Sequence, residues 1–239
     1  MTPFSQDNLQ EGYRGYYKYE YRGGYIFGAI KYEIVKRDDN LLVIKSFNEH
    51  RVKSDEYRYY VESALVLDKY QYPMEFSSVS IKHDKNGKQI DKRETEIGFI
   101  DNKAFIRLTE NSRTREYIKD LPENRLAILG WFEMPFLVWA ASKWTPEMKG
   151  SKGKLFRWDR HAPDFSNIRI VDAEDLTIKI GDKDYECQVY TFEGASEKVG
   201  SRHYQVCFRN GEFIAWKQWE YVIFLIEDYS TMTDFKFPK

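Results

Sequence analysis

The densest group of chemically capable side chains in this sequence is Arg157-Trp158-Asp159-Arg160-His161-Ala162-Pro163-Asp164. A histidine beside a carboxylate can pass a proton to or from a substrate near neutral pH, and paired arginines can hold a carboxylate or phosphate through parallel hydrogen bonds. Arg157, Asp159, Arg160, His161 and Asp164 therefore form a candidate polar site. The plainer reading of the same stretch is a solvated loop with local ion pairs. His50, His83 and His203 are scattered without the spacing of metal-ligating pairs, so no metal site is expected. Cys187 and Cys207 are too few for a zinc site or a disulfide scaffold, and neither sits in the sequence context of a nucleophile. Lys149-Gly150-Ser151-Lys152-Gly153-Lys154 is glycine- and lysine-rich, but no Gly-Lys-Ser/Thr closes it and no helix follows to offer its amides to a phosphate. No catalytic residue is assigned and no cofactor is expected.

Aromatic residues are the second resource. They make up 17% of the chain, including 18 tyrosines, and a ring with a polar tip suits both half-buried sheet faces and ligand-contacting surfaces. Tyr17, Tyr19 and Tyr32 on an opening hairpin, Phe136, Trp139 and Trp144 on an apolar helix, and Trp216 on a closing strand are the candidate ligand-binding residues. Together they could line an amphipathic cavity. The alternative is that the same rings simply pack helix against sheet.

The elements that must position these groups are mostly strands. Tyr13, Tyr17, Tyr19 and Tyr21 alternate with charged residues at the period of two that marks a strand with one aromatic face. Gly23-Gly24 then reads as a two-residue turn that pairs Tyr19 with Gly28 and Gly15 with Tyr32, aromatic against glycine, where a sheet bends sharply. Asn210-Gly211 is a strong hairpin signal, because a type I′ turn needs positive φ at both central residues. It sets Phe208 opposite Phe213, Cys207 opposite Ile214 and Gln205 opposite Trp216. Both faces of this hairpin are apolar, so the sheet should be covered on both sides.

A turn on Asp182-Lys183 pairs Ile180 with Tyr185, Ile178 with Cys187 and Leu176 with Val189. A symmetric loop through Gly194 and Gly200 places Cys187 directly across from Cys207, near one another and reduced. Residues 41–47, 57–67, 74–83 and 104–108 read as further strands. Residues 89–97 read as a charged sheet edge guarded by Lys88, Lys92 and Arg93. Residues 136–144, with Pro135 in the first turn, predict a helix that is apolar on nearly all sides, hence buried or serving as a plug.

The expected fold is mainly β: a strongly curved antiparallel sheet, a half-barrel or β-clam, with one substantial helix against its concave face. Residues 1–11 form a polar arm, 12–239 a single β domain, and about 123–148 a helical insertion. With 37 basic and 38 acidic residues there is no broad field to attract polyanions, so nucleic acid is not an expected partner. The longest apolar run, 126–142, is broken by Gly130, Glu133 and Pro135, so no transmembrane segment is expected. Residues 1–7 lack the basic start and apolar run of a signal peptide. Nothing in the sequence sets the oligomeric state.

The order of these elements resembles a group of bacterial envelope proteins of mostly uncharacterised function, with a sheet folded like a clam and a shape similar to the periplasmic lipoprotein carriers. The resemblance rests on Gly28-Ala-Ile-Lys-Tyr-Glu-Ile34 after the tyrosine-rich strand, Glu174-Asp-Leu-Thr-Ile-Lys-Ile-Gly181 with residues 185–190, and Asn210-Gly-Glu-Phe-Ile-Ala-Trp216. It implies a half-barrel whose concave side is filled or covered by a helix and can hold an acyl chain. It also implies a periplasmic location, and it supplies no catalytic signature. The leading expectation is non-enzymatic binding of a lipid or other apolar molecule. A carbohydrate-active enzyme or glycan-binding module using aromatic platforms and carboxylates is the alternative, and a structural or interaction protein is the third.

Overall fold

In the computed structural model the described residues are 9, 11–12, 14–21, 26–36, 41–52, 56–121, 128–130, 133–159, 162–180, 183–196, 200–218 and 221–225. The first half is a meander of eight strands: β1 (Arg14–Tyr21), β2 (Ile26–Lys36), β3 (Leu42–Val52), β4 (Tyr57–Leu67), β5 (Pro73–Asp84), β6 (Gln89–Ile100), β7 (Lys103–Glu110) and β8 (Arg113–Asp120). A short strand β9 (Ile128–Gly130) precedes helix α1 (Met134–Lys143) and a 3-10 turn at Pro146–Met148. The second half holds β10 (Lys152–Asp159), β11 (Ala162–Ile180), β12 (Lys183–Ser196), β13 (Gly200–Arg209), β14 (Glu212–Gln218) and β15 (Tyr221–Leu225).

The 15 described strands join one sheet in the order β8-β7-β6-β5-β4-β3-β2-β1-β15-β14-β13-β12-β11-β10-β9. Every neighbouring pair is antiparallel except β9 with β10. The sheet curls so that strands from its two halves face one another across the core. Phe76 on β5 lies 5.4 Å from Phe156 on β10, and Phe99 on β6 lies 6.4 Å from Phe165 on β11, measured between ring centres. Mainly antiparallel β structure, strong curvature and one packed helix are thus all present.

Curvature starts at the first hairpin, whose register matches the pairing expected from Gly23-Gly24. Gly15 faces Tyr32, and a Cβ built on Gly15 would sit only 2.1 Å from Tyr32 Cε1. The ring occupies the space that a side chain would need, and it is 3% exposed, so it has little room to move. Gly15→Ala is therefore expected to cost about 1–3 kcal/mol as an overpacking change. Urea unfolding would read this loss, and Tyr32→Leu in the same chain should recover part of it.

The core follows from alternation. Ile44, Leu65, Phe76, Ile97 and Ile106 form one apolar row across β3 to β7 on the concave side, opposite α1. One row further along the same face stand Ser46, Ser63, Ser78 and Thr95, all buried. Ser46 and Ser63 share a hydrogen bond of 2.8 Å.

Helix α1 is buried at every position from Met134 to Ala141. Its proline lies in the first turn, where the missing N–H costs nothing. Leu9 also packs into this core, and the Gly12 N–H donates to Ile34 O at 2.7 Å, so the chain around the expected polar arm is held against β2.

Several expectations need correction. The segment 89–97 belongs to β6, an interior strand between β5 and β7; the strands at the two ends of the sheet are β8 and β9. The charges on β6 are matched by partners, Arg93 to Glu110 at 2.5 Å and Lys92 to Glu94 at 2.5 Å. β8 itself is largely exposed and charged, which discourages pairing with another chain. Lys149–Lys154 is not a free loop: the backbone enters β10 at Lys152, and Lys149 Nζ pairs with Asp172 Oδ1 at 2.6 Å.

The β11–β12 and β12–β13 registers are each offset by two from the expected ones. Ile178 pairs with Tyr185, Leu176 with Cys187, and Val189, not Cys187, with Cys207. An offset of two preserves which face each side chain takes, so both thiols share an apolar cluster with Ile214 and Ala215 on the opposite side of the sheet from α1. They are diagonal, both are free and both are buried.

At Asn210-Gly211 the turn forms as expected, with φ of 51° and 81°, and Phe208 faces Phe213. Immediately beyond, a β-bulge shifts the pairing, so that Cys207 meets Ala215 instead of Ile214, and Trp216 meets Val206 instead of Gln205. The bulge puts Ile214 and Ala215 on one face and returns Trp216 to the same core as Phe213.

Candidate functional site

A half-open cavity of about 960 Å³ lies at one end of the curled sheet. The turn joining β4 to β5, the C-terminal end of α1, the inner arms of β11 and β12, and the turn joining β13 to β14 enclose it. Each wall has a local cause. In the β4–β5 turn, Asp68 Oδ1 accepts the N–H groups of Tyr70 and Tyr72, both at 2.8 Å, and so fixes a turn that holds two aromatic rings at the rim. Gln71 sits there at φ 62°, a left-handed conformation costly for a residue with a Cβ. Two bonds from the helix hold it: Trp139 Nε1 donates to Gln71 O at 2.9 Å, and Lys143 Nζ donates to Gln71 Oε1 at 2.8 Å.

The floor is aromatic. The Trp144 N–H caps the helix by donating to Ala140 O at 2.8 Å, and its indole meets Tyr190 and Phe208 edge-on at 5.3 and 5.9 Å. Tyr190 donates its hydroxyl to Gln188 Oε1 at 2.8 Å, and burial pushes its ionisation far above the usual tyrosine range. Burial likewise pushes the Cys187 thiol up to about 11, against the weaker pull of Arg209, so it is protonated and unreactive at neutral pH. Lys69, Lys143 and Arg209 stand with Asp175 and Glu186 around the apolar surface. The site thus offers rings and a mixed charged rim, an amphipathic lining, and among the described residues no cluster suited to a metal.

Of the sequence-predicted ligand residues, Trp144 lines this cavity. Phe136, Trp139 and Trp216 are wholly enclosed in the core, and Tyr32 nearly so. The backbone of Tyr17 and Tyr19 lies in β1, while their side chains lie outside what is described. The described backbone of the candidate polar site is paired strand: Arg157 pairs with Asp164, Trp158 with Pro163 and Asp159 with Ala162. Arg160 and His161 lie outside the described residues, as do the side chains of Arg157, Asp159 and Asp164. Sequence reasoning missed Tyr70 and Tyr72. Their signal was available as two tyrosines in a short turn before Pro73, where rings have no strand face on which to hide.

This architecture defines a mainly antiparallel β protein, a sheet curled into a half-barrel with one helix packed against its inner face. Among solved structures it matches the β-barrel-like protein of domain of unknown function DUF1849 from Brucella abortus, with TM-score 0.56, 11% identity, and coverage of 89% of this chain and 94% of that chain. At that identity the likeness is one of fold. A porin-like protein from Bacteroides uniformis ATCC 8492 aligns over 91% of this chain and 98% of its own at 6% identity, but its TM-score of 0.23 carries no argument. No protein-family model matches the chain, and a search of curated proteins finds no match.

Proposed function

We propose that this protein binds a lipid or other amphiphilic molecule without transforming it, and that the binding site is the cavity between the end of α1 and the sheet. The single observation that carries this reading is the half-open volume of about 960 Å³, with Trp144 and Phe208 at its floor and Tyr70 and Tyr72 exposed at its rim. That volume lies at the upper end of the range of roughly 300–1,000 Å³ typical of small-molecule sites. Exposed rings above an enclosed aromatic floor fit an apolar tail, and the nearby ammonium and guanidinium groups fit a polar or anionic head. The resemblance of the sequence pattern to clam-like envelope proteins favours a carrier role in the bacterial envelope.

The test is titration of the full chain with oleate, followed by tryptophan emission. A saturable change is expected, with Tyr70→Ala combined with Tyr72→Ala weakening affinity about tenfold, equivalent to about 1.4 kcal/mol. Both positions are exposed, so the melting temperature should hold. No saturable response to oleate or lysophospholipid, with no amphiphile retained in native mass spectra, overturns the proposal.

A further inference from the structure

A second concavity of about 600 Å³ lies on the other side of the sheet, over β3, β4 and β5. Strand alternation puts Phe47, Tyr60 and His83 on the face opposite Ile44, Leu65 and Phe76, so this groove is separated from the core and from the amphiphile site by the sheet itself. Its rings form a cluster: Tyr60 meets His83 edge-on at 5.3 Å and lies 6.3 Å from Phe47. Among the lining residues Arg58 and Lys85 are balanced by Glu62 and Asp84, and the Lys31 ammonium stands 5.6 Å from the centre of the Phe47 ring. Asp84 is partly committed, since its Oδ1 accepts the N–H groups of Asn86 and Lys88 at 2.8 and 2.9 Å. His83 lines the groove, while its Nδ1 is shielded from solvent and has no hydrogen-bond partner among the described residues.

We infer that this groove is a binding site for a short neutral saccharide. A sugar ring presents an apolar C–H face and a rim of hydroxyls that both donate and accept. Aromatic rings suit the first, and an imidazole flanked by guanidinium, ammonium and carboxylate groups suits the second. A balanced set of lining charges disfavours phosphates and polyanions. The inference is independent of the amphiphile site, because the two share no lining residue.

The experiment is saturation-transfer NMR on the full chain with maltotriose, cellotriose and tri-N-acetylchitotriose. Transfer to the ring C–H protons of at least one sugar is expected. Tyr60→Ala should weaken it about tenfold, Tyr60→Phe should retain it, and Tyr70→Ala at the other site should leave it unchanged. His83→Gln should weaken binding while the protein keeps its native melting temperature. Absence of transfer from all three sugars to the folded wild-type chain overturns the inference, and so does transfer that survives Tyr60→Ala.

Discussion

Replacing Trp139 with alanine is expected to destabilise the protein by about 3–5 kcal/mol, the usual cost of removing a large aromatic from a packed core. The indole is fully enclosed, and its Nε1 donates to Gln71 O, so alanine leaves both a cavity and a stranded carbonyl. Trp139→Phe separates these effects. Phenylalanine keeps most of the apolar volume but cannot donate, so it should lose only the hydrogen bond to Gln71, about 0.5–1.5 kcal/mol. The second variant should also affect binding, because Gln71 is held in a left-handed conformation between the two rim tyrosines. Urea melts and oleate titrations on both variants would check this. A loss below about 1 kcal/mol for Trp139→Ala would contradict the packing described.

Acidification is expected to weaken the fold between pH 6.5 and about 4, through His50. Burial lowers its ionisation from 6.5 to about 4. The ring stacks flat on Tyr59 with centres 4.5 Å apart and planes 7° from parallel, and its Nδ1 is shielded from water. Because the folded value is depressed for a base, the unfolded chain binds the extra proton first, and stability rises with pH across this window. The contribution is complete above pH 6.5, declines as pH falls toward 4 and does not decline further below that. Its full size is about 3 kcal/mol, at 1.36 kcal/mol per unit, an upper value for a residue not wholly enclosed. Comparing urea melts of wild type and His50→Gln at several pH values isolates it. Parallel pH profiles for the two chains would show that His50 contributes nothing.

Much of this fold was legible because alternation with period two fixes the face each side chain takes. That is why the opening hairpin, the Asn210-Gly211 turn and an apolar helix could all be read directly. Register within a longer hairpin is different. Moving β12 against β13 by two leaves every face unchanged, so nothing in the pattern distinguishes Val189 from Cys187 as the partner of Cys207. The bulge beyond Phe213 was hidden as well, since Phe-Ile-Ala-Trp carries apolar residues on both faces whichever way it is phased. β8 left no signal, because an edge strand exposed on both faces needs no apolar alternation. Of the site, only Trp144 was found. The rim tyrosines belong to a turn, and a turn becomes a wall only when the sheet's curl brings the helix end beside it.

The pairing of β1 with β15 has a consequence for how the protein is made. During translation the first strand emerges at the ribosome with β2 available on one side and nothing on the other, and it stays half-paired until the last described strand has been synthesised. An unpaired strand edge is a template for association with other chains. A nascent or truncated chain ending before residue 221 would present β1 and β14 as two open edges, so this sheet depends on shielding of its N-terminal meander until synthesis reaches β15.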